Sequence, residues 1–170
     1  MLKLEFPSEL HEQLYNDMLH EWKTTEKTPT SPRRLFSWKD FQEFLSIVKE
    51  DLISSAPKVP SHLFFLIDSI NQKILWAIQI RHHINHPNLI ENWGHIGYWV
   101  RPSERGKGYA TEMLKLSLEK AKELWLEKIL LTCDDDNIGS WTVIEANGGI
   151  FERFTQQDWI KVRRYWILIV

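Results

Sequence analysis

Residues His95 to Leu118 read HIGYWVRPSERGKGYATEMLKLSL, a strand, a glycine-bearing turn and a helix in direct succession, and this order decides how the rest of the chain is read. In HIGYWV aromatic and β-branched residues dominate over a strand's length, and Arg101-Pro102 ends it because proline has no N–H to give a ladder. After the turn, Ala110, Met113, Leu114, Ala121 and Leu124 recur at helical spacing, the stripe of a helix with one face on a sheet. Gly106 and Gly108 therefore fall in the turn and at the helix start. There, free N–H groups and the positive end of the helix dipole can face an anion, and glycine lets a ligand approach the backbone closely. Arg105 and Lys107 add positive charge at the same spot.

Two familiar phosphate loops are excluded by residue. A Walker loop needs glycine, four residues, then Gly-Lys-Ser/Thr, which the chain lacks, and a dinucleotide fingerprint needs glycine where Thr111 stands. Arg105-x-x-Gly108-x-Ala110, by contrast, resembles the pyrophosphate signature of the GNAT superfamily of N-acetyltransferases, Gln/Arg-x-x-Gly-x-Gly/Ala. A second segment, Asn137-x-x-Ser140 followed by Ile144-Glu145 and Gly148-Gly149, resembles the later part of that family, where an asparagine and a small residue line the coenzyme A arm. The resemblance covers residues 63 to 154 and is strongest to a bacterial branch described only as predicted acetyltransferases, a description that gives no substrate.

The resemblance implies an α/β fold of GNAT type: a mixed, mostly antiparallel central sheet with splayed central strands and flanking helices, the acyl chain and acceptor meeting in the gap. It implies acetyl-CoA as acyl donor, held by Arg105, Gly106, Lys107, Gly108, Tyr109 and Ala110 at the pyrophosphate and by Asn137 and Ser140 along the arm. A main-chain N–H near Val100 would polarise the thioester carbonyl, an oxyanion-type contact. The implied acceptor is a primary amine of a small molecule or a protein, acetylated by direct transfer. The family also often carries, seven residues beyond the asparagine, a tyrosine that protonates the leaving thiolate. Here Ile144 stands in that place and has no proton to give, so Tyr98 or Tyr109 would have to substitute, or the thiolate leave unaided. This departure keeps open a second class, a GNAT-like domain that holds an acyl-CoA as a sensor or assembly part without turnover.

Composition sets outer limits. With 170 residues, 43% hydrophobic and 26% charged, the chain is expected to form one soluble domain spanning 1–170 around one core. Its net charge of −2 and pI of 6.4 argue against nucleic acid as a partner, since such binders usually carry a pI above about 9. No uninterrupted apolar run exceeds six residues, against roughly 18 for a membrane span. With no signal-peptide pattern and the single Cys133, a reducing cytoplasm is the expected location.

In chain order, Leu2, Leu4 and Phe6 alternate with Lys3 and Glu5 as a first strand. Ser8 is placed to cap a helix carrying Leu10, Leu14, Met18 and Trp22. The segment from Lys23 to Pro32 reads as a loop, and Phe41, Phe44, Leu45 and Val48 as a second amphipathic helix. After the Pro57 and Pro60 loop, Leu63 to Asp68 and Ile74 to Ile80 form a hairpin. The motif helix is followed by a strand at Lys128 to Cys133, a helix capped by Asp136 or Asn137, and strands at Ile150 to Phe154 and Val162 to Val170. The last of these pairs either within the sheet or across a homodimer, so monomer and dimer both stay open.

An alkylammonium acceptor must lose a proton before it attacks, which calls for a base. His95, on the motif strand, is read either as that base or as a hydrogen-bonded sheet histidine. Glu91, just before the strand, is the second candidate. Arg81 and His82 end the preceding strand on the side where the family admits acceptors, and Asp134, in the run Asp134 to Asp136, is placed to attract a cationic amine. His82, His83 and His86 lack an accompanying cysteine or carboxylate pattern, so no metal is expected.

Overall fold

The structure is a computed structural model that describes residues 1–25, 40–55 and 58–169. Strand β1 (Leu2–Glu5) leads through a short 3-10 turn, Glu9–His11, into helix α1 (Glu12–Thr24). Helix α2 (Phe41–Asp51) starts on Asp40, whose carboxylate accepts the Glu43 N–H at 2.8 Å, the expected use of a short acidic side chain at a helix N-terminus. Strands β2 (Ser61–Asp68), β3 (Lys73–Arg81) and β4 (Ile96–Val100) follow, with a five-residue π-helical turn, Leu89–Trp93, between β3 and β4. Then come α3 (Tyr109–Glu123), β5 (Lys128–Asp134), α4 (Ile138–Ala146) and the hairpin β6 (Ile150–Gln157) and β7 (Ile160–Leu168).

The strands form two hydrogen-bonded sheets, β1-β2-β3-β4 and β5-β7-β6. β1 runs antiparallel to β2, and β7 antiparallel to both β5 and β6. β3 and β4 are antiparallel as well, since the Arg81 N–H meets the His95 carbonyl and the Arg101 N–H meets that of Leu75. β7 thus pairs on both edges inside the chain. The result is an α/β architecture of antiparallel sheets and helices, as the sequence reading expects.

The chain gathers into two compact units, Met1–Gln79 with Gly97–Tyr109, and Ile80–Ile96 with Ala110–Val170. The first is built on an aromatic stack: Tyr15 lies 4.6 Å from Phe44, which lies 5.7 Å from Phe65, and all three are fully buried. Offset stacks of this kind add about 0.5–1.5 kcal/mol per pair beyond the area they bury. In the second unit Met113, Leu114 and Ala121 of α3 are buried, as the periodicity predicts, and Ile129, Leu130, Leu131 and Cys133 are buried along β5. Such near-continuous burial marks a strand covered on both faces.

Three expectations need correcting. Met18 and Trp22 are buried on α1 as predicted, but at its N-terminal end the buried side chains are His11, in the preceding turn, and Tyr15, while Leu14 is only partly buried against the core and Leu10 is exposed. The reason is the 3-10 turn at its start, which rewinds the register and lets the Ser8 N–H donate to His11 Nδ1 while His11 Nε2 meets Glu5. α1 also runs through Lys23 and Thr24, placed in a loop by sequence. β6 continues three polar residues beyond Phe154, because on an edge strand exposed polar residues do not stop pairing. The remainder of the expected loop from Lys23 to Pro32, together with Pro57 and Val170, lies outside the described residues.

Candidate active site

The turn after β4 is built from backbone outward. Arg101 adds one more ladder bond, Pro102 opens a 3-10 turn (Pro102–Glu104), and the chain then passes through Gly106 at φ +75 and Gly108 at φ +79 into the first turn of α3. Both glycines hold left-handed backbone that L side chains rarely adopt, and a Cβ at either would meet nothing within 4 Å. No described residue accepts a hydrogen bond from the N–H of Gly106, Lys107 or Gly108. The first N–H groups of α3 are unpaired by the geometry of any helix. The result is an exposed cradle of donors at the positive end of a 15-residue helix, with Val100 at the end of the strand that leads into it. The residues fit a pyrophosphate.

The cations beside the cradle are themselves positioned. The Arg105 guanidinium lies 5.2 Å from the centre of the Trp22 ring, and Lys107 Nζ is 3.0 Å from Glu104 Oε2. Glu104 is buried and its other oxygen takes Lys73. Burial would raise this carboxyl, but the bonds from Lys73 and Lys107 outweigh it and hold the group below its ordinary value.

The second expected segment is a helix cap. Asn137 Oδ1 accepts the Ser140 N–H at 3.1 Å, and both residues sit at the start of α4. In the acidic run before it, Asp135 is paired with Lys161 and Arg163, whereas Asp134 is exposed and lends its carbonyl to the Asn137 N–H. Desolvation by the surrounding chain and then the charge of Asp136 raise the Asp134 carboxyl.

The base candidates look different in three dimensions. His95 is buried, its Nδ1 accepts the Leu130 N–H at 2.9 Å, and burial depresses its pKa to about 4, with the charges of Arg81, His83 and Lys128 pushing the same way. Of its two readings the geometry supports the sheet histidine, because the lone pair a base would use is already taken. Glu91 is exposed and ion-paired to Arg153 at 2.8 Å. Arg81 is half-buried, donates to the Gly94 carbonyl at 3.1 Å, and is lowered by burial to about 10, which leaves it charged at neutral pH. His82 is half-buried and shifted down by burial and then by His83. Among the described residues no group of three or more metal-ligating side chains gathers, around these histidines or elsewhere.

A profile of the acetyltransferase (GNAT) domain matches residues 2–150. The chain belongs to the GNAT family. An uncharacterized N-acetyltransferase of Bacillus subtilis (strain 168), YnaD, is 32% identical over 88 residues; the match covers 51% of this chain, which spans about half the length of that relative. Among solved structures, mutant forms of the spermidine/spermine N-acetyltransferase SpeG from Vibrio cholerae superpose with a TM-score of 0.66 at 16% identity, over 99% of this chain and 95% of theirs. The ribosomal-protein-S5-alanine acetyltransferase of Vibrio fischeri gives 0.71 at 16% identity, over 99% and 93%. The microcin C7 self-immunity acetyltransferase MccE, solved with acetyl-CoA and AMP, gives 0.66 at 15%, over 99% and 92%. At such identity these likenesses speak for the GNAT fold.

Several residues that shape this GNAT chain escaped the sequence reading. Glu145 accepts the hydroxyl of buried Tyr165 at 3.0 Å. Arg101 and Arg164 are buried, the first on Asp17 and Glu21, the second on Glu152 and on the carbonyls of Ile90 and Glu91. Arginine inside an otherwise apolar stretch, as in Val162 to Leu168 or after HIGYWV, was the available signal: such a residue needs buried acceptors.

Proposed function

We propose that this GNAT protein is an acetyl-CoA-dependent N-acetyltransferase that acylates a primary amine, of a small molecule or a protein, by direct transfer, its 170 residues acting as one domain. One observation carries the reading: the open donor cradle at Gly106, Lys107 and Gly108 on the N-terminus of α3, with positive φ at both glycines. The family profile, which runs through both compact units, supports treating the chain as one domain.

In this reading the N–H groups of Arg105 to Ala110 receive the pyrophosphate, and Arg105 and Lys107 add charge to it. Asn137 and Ser140 line the arm, and the main chain near Val100 faces the carbonyl. Bound there, acetyl-CoA supplies an activated acyl carbon. The chain's part is to orient it, to exclude water and to receive the amine deprotonated. With His95 committed to Leu130 and Glu91 to Arg153, the ammonium proton leaves through water or at His82; Arg81 and Asp134 stay with His82 as candidates for the acceptor side.

A second reading, a GNAT-like module that holds an acyl-CoA without turnover, is favoured by Ile144, a fully buried aliphatic side chain where a proton donor is common in the family. Calorimetric titration with acetyl-CoA, coenzyme A and desulfo-coenzyme A tests both. Micromolar binding followed by amine-dependent thiol release supports the enzyme; binding with slow hydrolysis and no dependence on any amine supports the module; no binding overturns both.

A further inference from the structure

His95 grips one residue of β5 twice. Its own N–H donates to the Leu130 carbonyl at 2.8 Å, and its Nδ1 accepts the Leu130 N–H at 2.9 Å, so two polar groups of a buried residue are satisfied by a single neighbour. The His95 carbonyl turns the other way and accepts the Arg81 N–H at 2.8 Å. In a regular strand the N–H and C=O of one residue face the same neighbour; at His95 they face different strands. The twist is prepared by Gly94 at φ +61 and ψ −163, where a Cβ would stand 2.3 Å from the same Leu130 oxygen.

Leu130 is paired with Trp166 of β7 on its other side, so its outward N–H belongs to the free edge of β5. A backbone N–H can only donate. It therefore fixes the imidazole as the neutral form with Nδ1 bare and the proton on Nε2, whatever groups surround the ring: Arg81, His83 and Lys128 by charge and the Trp166 ring at 6.4 Å.

We infer that His95 is a positioning residue: its imidazole takes the place of a backbone carbonyl at the edge of β5, so that the chain can leave its contact with Leu130 at His95 and enter β4 without leaving the buried Leu130 donor unpaired. It is not the base. Proton uptake at Nδ1 would break the Leu130 bond, and Nε2 has no lone pair to offer. The inference stands on this geometry alone and rests on the acetyltransferase reading only for its activity arm.

The test compares H95N, whose side-chain oxygen can occupy the Nδ1 position, with H95L, which has no acceptor, and H95Q, whose amide lies one bond further out. Hydrogen exchange of the Leu130 amide is read by NMR in the full chain, and acetyl transfer is followed against pH. H95N should keep Leu130 protected and keep the midpoints of the wild-type pH profile, with turnover above that of H95L. H95L and H95Q should exchange Leu130 roughly ten- to a hundredfold faster than the wild type. If H95L does not fold, H95Q carries the comparison. Unchanged Leu130 exchange in H95L or H95Q overturns the inference, as does an H95N enzyme that protects Leu130 yet loses the acid-side limb of its pH profile, the limb a general base produces. A protein that binds no acetyl-CoA defeats the proposed function and leaves the exchange result to decide.

Discussion

Arg101 and Glu21, eighty positions apart in sequence, are joined Nε to Oε2, and the same carboxylate accepts the Ser103 N–H at 2.8 Å. One acid on α1 thereby holds both the end of β4 and the turn that leads into the donor cradle. Burial alone would raise the Glu21 carboxyl, but the Ser103 N–H and Arg101 hold it below its ordinary value. Arg101 also reaches Asp17 at 3.0 Å, yet Asp17 is 65% exposed against 20% for Glu21.

Exposure therefore predicts a large difference between the two acids. R101M removes the partner of a mostly buried carboxylate and should cost on the order of 3 kcal/mol, the low end for a broken buried pair. D17N should cost no more than about 0.5 kcal/mol, as for exposed ion pairs. Urea midpoints of the two variants, at unchanged slope, check this; equal losses would mean that Asp17 and not Glu21 anchors the arginine.

Three glycines with positive φ separate folding from ligand binding. G106A and G108A meet no neighbour within 4 Å and should lose only the backbone term, about 1–2 kcal/mol. The methyl group stands in the open cradle, so coenzyme A affinity should fall at least about tenfold in variants that still fold. G94A has the same φ penalty and in addition drives Cβ to 2.3 Å from the Leu130 oxygen, which His95 already holds. It should cost upwards of about 3 kcal/mol. Thermal unfolding paired with calorimetric titration distinguishes the two behaviours, and a G94A as stable as G106A would mean that Leu130 can retreat.

The cradle was legible in the sequence because its signals are local. A strand of aromatic and β-branched residues, a proline stop, two glycines and a 3.6-residue stripe each constrain neighbouring backbone, and so does Asn137 as a cap. What stayed hidden depends on residues distant in sequence. Nothing near His95 says that its Nδ1 meets Leu130, thirty-five positions on, and nothing near Glu91 names Arg153. The first two positions of the α1 stripe, Leu10 and Leu14, failed for a different reason: a 3-10 turn of three residues precedes the helix, and the hydrophobic pattern LHEQLYNDML fits either phase at that end.

Cys133, at the end of β5, should react slowly. It is buried, and desolvation pushes its thiol up to about 11, against a lowering by Ser140 and Arg163. At pH 8 only on the order of one thiol in a thousand is then ionised, and the thiolate is the reactive form. Iodoacetamide labelling of the folded protein should therefore run at least about a hundredfold slower than in urea. Rapid labelling of the native chain would show that β5 opens at this end.

The buried histidine predicts where stability is lost on acidification. The His95 imidazole has its pKa lowered from 6.5 to about 4, so the unfolded chain takes up this proton before the folded one does. Its contribution is complete above pH 6.5 and is lost progressively as pH falls towards 4, on the order of 3 kcal/mol in all. His82, also lowered by burial, adds a smaller loss of the same sign. The carboxylates of Glu21 and Glu104, held below their ordinary value, act later, below about pH 4.5. Urea unfolding of the wild type between pH 7.5 and 5 should thus show stability falling with acid while the carboxylates are still ionised, and H95N should flatten most of that fall. The two residues are equally able to accept from Leu130 and only one of them titrates, so an H95N slope equal to that of the wild type would assign the acid sensitivity to another histidine.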